Sequence, residues 1–399
     1  MKVAMVSEHA NPLAVVGGVD AGGQNVHVGA LAGELTRLGH DVTVYSRRDS
    51  CSVPDRVRTS DGYVVEHVPA GPPCEVPKDE LLPYMRAFGD HLRKRWSREL
   101  VDVVHAHFWM SGLAAVRGAA DFGIPVLQTF HALGTVKRRQ QGDKDTSPPA
   151  RIELERRLCR TVDRVIATCS DEVAELEAMG LPASRASVIP CGVDTDIFRP
   201  GPAVRNGQRL LVVGRLVERK GVGNVIEALA ELPGIHLDIA GGPPVDRLDD
   251  DPQIRRLRRL AESKGLADRV HFRGSVPRGE LPALICSADV VVAVPWYEPF
   301  GIVPVEAMAC GRPVVGSTVG GLLDTVVPGV TGELVPPRRP DRLAVVLRDL
   351  LADEQRREAY GRAGRARAVA VYQWRHVAAA TEDVYASVAL SRLPSGVAR

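Results

Sequence analysis

The chain has 399 residues, 45% of them hydrophobic and 25% charged, and a formal net charge of +2. That length suits two globular domains with sizeable cores, and the near-balance of charge excludes a broad electrostatic footprint for nucleic acid or an acidic membrane. The cysteines, Cys51, Cys74, Cys159, Cys169, Cys191, Cys286 and Cys310, are odd in number and form no C-x-x-C pair, which excludes a disulfide framework or a zinc ribbon and points to a reducing compartment.

The first half alternates strand and helix signals. KVAMV (2–6) is followed by the Gly-rich GGVDAGGQN (17–25), then by a helix with Val28, Leu31, Leu35 and Leu38 on one face, then by VTVYS (42–46). Gly22 and Gly23 sit where helix-start N–H groups can approach an anion or a sugar, although such glycines also simply make turns. VDVVHAH (101–107), IPVLQTF (124–130) and DRVIATC (163–169) read as further strands, giving an α/β doubly wound parallel sheet. His105 and His107 share one side of their strand, but no third metal ligand can be placed beside them, so packing or hydrogen bonding is the expectation. His131 ends an apolar strand before a Gly-containing loop, where an imidazole can offer a hydrogen bond to a substrate hydroxyl.

Residues 190–208 are rich in Pro, Gly and Asp and break the periodicity. The expected organisation is a first Rossmann-like domain over 1–195, a linker over 196–208, a second Rossmann-like domain over 209–372, and a C-terminal helix over 373–399 that returns to the first domain. The second half repeats the alternation: RLLVVG (209–214), a helix with Val222, Val225, Ile226 and Leu229 on one stripe, then HLDIAG, VHFRG, DVVVAVP (289–295) and PVVGS. Arg215 follows a strand and Lys220 precedes a helix, so a guanidinium fork and a mobile ammonium can clamp a diphosphate. Glu298 falls at the carboxyl end of the 289–295 strand, and Glu306 lies on the helix that follows Gly301. Ligands of open α/β sheets bind beyond the carboxyl ends of the strands. The chain lacks G-x-x-x-x-G-K-[ST], H-E-x-x-H and G-x-S-x-G, which removes the main support for kinase, zinc protease and serine hydrolase readings. The N terminus lacks a leader pattern, and no stretch approaches the roughly 20 apolar residues of a membrane span. The expected location is therefore the cytoplasm.

Together GGVDAGGQN, HAHFWMSG (105–112), TFHALGTVKR (129–138), GVDTDIFRP (192–200), GRLVERKG and EPFGIVPVEAMACGRPVV resemble the retaining GT-B nucleotide-sugar glycosyltransferases of family 4. The branch is that of sucrose-phosphate synthase and the mycothiol-pathway N-acetylglucosaminyltransferase, and the last stretch is the Glu-x7-Glu motif. The resemblance implies two Rossmann-like domains facing a cleft, and transfer of a hexose or N-acetylhexosamine from a nucleotide sugar, UDP-linked, to a small polyhydroxy acceptor. It implies that His131, Arg215, Lys220 and Glu298 are catalytic. The donor would meet Gly22, Gly23, Arg215, Lys220, Arg273, Val276, Glu298, Phe300, Gly301, Ile302 and Glu306, with Glu306 on the ribose. The acceptor would meet Asn25, Lys78, Phe108, Ala132 and Arg151, with Lys78 and Arg151 on a phosphate. Phe108 and Ala132 replace a tyrosine and a threonine of the mycothiol enzyme, which argues for a different acceptor: a cyclitol or sugar, phosphorylated or not. No metal and no cofactor are implied, and a homodimer is one assembly it allows. Three alternatives stay open: glycosylation of an aminocyclitol antibiotic intermediate, with Asp20 meeting the amine; a nucleotide-sugar 2-epimerase; and a non-catalytic nucleotide-sugar sensor.

Overall fold

The structure is a computed structural model, and it describes residues 1–14, 22–202 and 207–391. The segment 15–21, which holds Asp20 and most of the first glycine-rich stretch, lies outside the described residues, as do 203–206 of the expected linker and 392–399. The chain divides into two compact units, one of residues 1–190 with 374–399 and the other of 191–373.

The first unit is built on an eight-stranded sheet. Its strands are β1 (Lys2–Val6), β2 (Asp41–Arg47), β3 (Arg56–Arg58), β4 (Val64–Val68), β5 (Val103–His107), β6 (Val126–Thr129), β7 (Arg164–Ala167) and β8 (Ala186–Val188). They lie in the order β3-β4-β2-β1-β5-β6-β7-β8. All pairings are parallel except β3 with β4, an antiparallel edge that the expected all-parallel sheet did not contain. β1, β4 and β5 are buried without alternation, from 3 to 6 in β1 and along the whole of β4 and β5, as strands covered on both faces are. The helix Gly23–Arg37 buries Val28, Leu31 and Leu35 as its periodicity predicts. Leu38 departs from that expectation: it is the C-cap, beyond the last helical turn, and is 44% exposed. The helix Trp374–Ser391 belongs to this unit and adds Trp374, Val377, Ala378 and Tyr385 to its core beside Val28, Leu31 and Val65.

The second unit has a six-stranded, wholly parallel sheet of β9 (Arg209–Val213), β10 (His236–Ala240), β11 (Val270–Gly274), β12 (Val290–Ala293), β13 (Val314–Ser317) and β14 (Gly332–Val335), in the order β11-β10-β9-β12-β13-β14. The helix Val222–Leu229 buries all four of its predicted stripe residues. No helix among the described residues is long and apolar enough to cross a membrane.

In each sheet the chain starts centrally, runs to one side, and returns to continue on the other. The reversal falls between β1 and β5 in the first unit and between β9 and β12 in the second. Backbone leaving those strands diverges and opens a crevice at their carboxyl ends. Glu8 and Phe108 follow β1 and β5; Arg215 and Glu298 follow β9 and β12.

Candidate active site

In the second unit, Glu298 and Lys220 form an ion pair, both side chains partly buried. The loop geometry that permits it depends on Gly221, whose φ is 72° and whose added Cβ would stand 2.0 Å from the Val294 carbonyl oxygen. Only glycine lets the chain after Lys220 pass so close over the end of β12. The two loops are also tied through backbone, since the Trp296 N–H donates to the Arg219 carbonyl at 2.8 Å. Arg219 is a further cation beside this pair, and no sequence motif singles it out. Burial pulls its guanidinium pKa down, Glu298 opposes that shift, and Arg215 adds to it, which places all three charges in one field. Arg215 itself is exposed, and its guanidinium has no hydrogen-bond or ion-pair partner among the described residues. Three cations therefore face one carboxylate, an excess of positive charge that suits an anionic ligand.

Phe300 is buried, and Gly301, at φ 91°, is the N-cap of the helix Ile302–Ala309, so its amides open toward the same sheet end. The Gly321 N–H holds the Glu298 carbonyl at 3.0 Å and fixes this loop from the far side. About one turn along the helix, Glu306 is 2% exposed and accepts from Arg278 Nη1 at 3.0 Å. Arg278 also lies over the Phe198 ring, 5.0 Å from its centroid. Burial lifts the Glu306 carboxyl to about 7, with Arg278 opposing the rise. Arg278 was absent from the expected set; a buried carboxylate demands a partner, but nothing in its PRGE context says which one.

Arg273 donates to Asp238 Oδ1 at 2.7 Å while Arg209 holds the other carboxylate oxygen at 3.1 Å. Its guanidinium is thus engaged across the β9, β10 and β11 strands, and Val276 packs half-buried against the core.

In the first unit, Gly22 and Gly23 open the helix Gly23–Arg37. Asn25 closes that start on itself: its Oδ1 accepts from the Gly22 N–H at 3.0 Å and its Nδ2 donates to the Asn11 carbonyl at 2.9 Å. Both ends of this amide are therefore used inside the fold. His131 has φ 61° and stands 3.1 Å from His107 Nδ1 through its Nε2. Burial holds both rings well below the usual histidine range, so each is neutral at pH 7. Phe108 has φ 79° and is 5% exposed, with the His9 ring edge-on at 4.8 Å. Positive φ at two non-glycine residues is costly backbone, held here at adjacent strand ends.

Arg151 is held by the fold. It is 3% exposed, donates from Nε to Glu155 Oε1 at 2.7 Å, from Nη1 to Ser147 Oγ at 3.1 Å and from Nη2 to the Ala132 carbonyl at 2.6 Å, and its guanidinium lies over the Phe108 ring. Glu155 Oε2 in turn accepts from the Gly134 N–H at 2.8 Å. All three guanidinium nitrogens thus serve the fold and bolt down the loop that carries His131 and Ala132, whose backbone rather than side chain makes the contact. Lys78 is partly buried at the start of the short helix Lys78–Glu80, within the field of Asp79.

The architecture is that of the GT-B glycosyltransferases. Residues 194–367 match the family described as glycosyl transferases group 1, and residues 21–197 match glycosyltransferase family 4. D-inositol 3-phosphate glycosyltransferase 1 of Catenulispora acidiphila is 36% identical over 94% of this chain and 92% of its own length. The D-inositol 3-phosphate glycosyltransferase of Acidothermus cellulolyticus is 36% identical over 88% of this chain and 82% of its own. The solved sucrose-phosphate synthase of Thermosynechococcus elongatus superposes with a TM-score of 0.89 at 32% identity, covering 98% of this chain and 99% of that one. The chain belongs to the family 4, group 1 glycosyltransferases.

Proposed function

We propose that the chain moves a hexose or N-acetylhexosamine from a nucleotide sugar, UDP-linked, to a hydroxyl of a small cyclitol or sugar, with retention of configuration and without a metal. The observation that carries this reading is the gathering of Arg215, Arg219, Lys220 and Glu298 at the strand-order reversal of the second unit. Cations fixed there offset the charge that builds on a departing diphosphate. Glu298, poised by Lys220, accepts hydrogen bonds from the sugar, Glu306 accepts from the ribose, and the amides at Gly301 and Ile302 face the phosphates between them. His131, neutral, offers a hydrogen bond to the transferred sugar. The names of the relatives support cyclitol or sugar acceptors, and Phe108 and Ala132 favour one with fewer polar contacts there.

The test is a matrix of nucleotide sugars and polyhydroxy acceptors, with phosphorylated and free forms of each acceptor, scored by nucleotide release and product mass in excess chelator. Acceptor-dependent release with a glycoside product supports the reading. Loss of all turnover in chelator, restored by magnesium or manganese, removes its metal-free part, and free epimer without acceptor replaces transfer with epimerisation.

Glu306 also sets a pH dependence. Its carboxyl sits near 7 in the free protein, above the usual 4.5, and ribose hydroxyls hydrogen-bond better to the charged form. Donor affinity should therefore rise with pH and level off above about 7, with proton release on binding. Calorimetry with an intact nucleotide sugar in buffers of different ionisation enthalpy checks this; E306Q should flatten the profile, and a flat wild-type profile contradicts the ribose role.

A further inference from the structure

Three histidines, His27 and His107 buried and His131 half-buried, come together from the helix Gly23–Arg37 and the ends of β5 and β6. One ring nitrogen of each lies within 4.8 Å of the other two. His107 Nδ1 and His131 Nε2 are 3.1 Å apart, close to the separation of about 3.3–3.4 Å for two imidazole nitrogens that share a tetrahedral ion at about 2.0–2.1 Å. The neighbouring His105 shows what a structural histidine looks like here. Its Nδ1 accepts from the Tyr385 hydroxyl at 2.7 Å, and its Nε2 donates to Thr129 Oγ1 at 2.8 Å, whose own proton goes to the Ile166 carbonyl. Both of its nitrogens are satisfied. By contrast, His27 Nδ1 is buried and meets no hydrogen-bond partner among the described residues. His107 Nε2 is also unpartnered there, but it lies on a different ring edge from the Nδ1 that faces His131, so the His27 orphan is the one that points to a missing ligand in this cluster.

The chemistry of the donor set narrows that ligand. The cluster contains no carboxylate, which disfavours magnesium and calcium, whereas three neutral imidazoles with a fourth position open suit Zn²⁺ and its borderline neighbours. His131 is only half-buried and gives the ion a way in.

We propose that His27, His107 and His131 bind Zn²⁺, and that the bound ion switches off sugar transfer by taking the His131 ring as a ligand. The metal is an inhibitor, in keeping with catalysis that needs none. The inhibitory half rests on the transferase reading above; the binding half does not.

The test is titration of the full chain, stripped of metal with chelator, with Co²⁺ as the probe. Stoichiometric uptake with the intense visible bands of a low-coordinate Co²⁺ site, displaced by Zn²⁺, is expected. H27F should weaken uptake by more than the roughly 10–100-fold that loss of an outer-shell partner costs. H27Q, which keeps a polar group in the buried position, should behave alike. Absence of visible bands in the wild type overturns the proposal. So does equal uptake by folded H27F or H27Q, or near-ultraviolet thiolate charge transfer that assigns the ion to a cysteine. For the second half, Zn²⁺ should abolish nucleotide release by the wild type, chelator should restore it, and H27F should keep its own activity in the same zinc. Zinc uptake with turnover unchanged overturns the switch. A chain inactive with every donor and acceptor still reports cobalt by its spectrum, so failure of the transferase reading is distinguishable from failure of the site.

Discussion

Lys220→Ala is expected to lower kcat by about 10²–10³-fold, the range measured when one fixed donor to a developing oxyanion is removed. Lys220 is only partly buried and its partner Glu298 keeps Arg219 and Arg215 in the same field, so the fold should survive the change. The loss should fall on kcat rather than on donor affinity, because the ammonium opposes charge that appears only as the diphosphate departs. A donor with a leaving group that departs uncharged should narrow the gap between variant and wild type. An unchanged kcat would reduce Lys220 to a positioning partner for Glu298.

Arg151→Ala is expected to show its largest effect on stability. Removing one partner of a buried, hydrogen-bonded ion pair leaves the other carrying an uncompensated charge, at a cost of about 3–5 kcal/mol. For a unit of this size that corresponds to a fall in Tm of roughly 6–20 °C. Glu155 supplies a signature. Burial already raises its carboxyl above the usual value against the pull of Arg151, and without the guanidinium it rises further. A carboxyl whose folded pKa is raised takes stability away above its unfolded pKa and takes none below. The deficit of the variant should therefore shrink as pH falls toward about 4.5. Calorimetric scans across that range check it. If Tm holds and only the apparent acceptor constant rises, Arg151 is a phosphate anchor after all.

The strands of both sheets were legible because covered parallel strands need buried runs without alternation, as at 3–6 and Val290–Ala293, and the Val103-Val104 pair opens β5 in the same way. Glu298 and Glu306 were legible because their spacing across a Pro-Phe-Gly turn spans a strand end and the following helix. The short edges β3 and β8 were not, since three residues carry no period. Arg278 and Arg219 escaped notice because what matters about each is a tertiary partner, a buried carboxylate or a charge field, that no local pattern records. His27 stands beside Val28 with no motif around it, and only the packing of its helix brings its ring to His107 and His131. Arg151 was visible, but its contacts with Glu155, Ser147 and the Ala132 carbonyl were not, because no local pattern records them.

Glycosyl transfer from a nucleotide sugar is put to the test by following a donor labelled with ¹³C at the anomeric carbon by NMR in the presence of the acceptor that releases nucleotide. The label should move from the phosphate ester to a glycosidic carbon of the same anomeric configuration while free nucleoside diphosphate accumulates. Label that stays on the nucleotide, or that leaves as an epimerised free sugar, would contradict it.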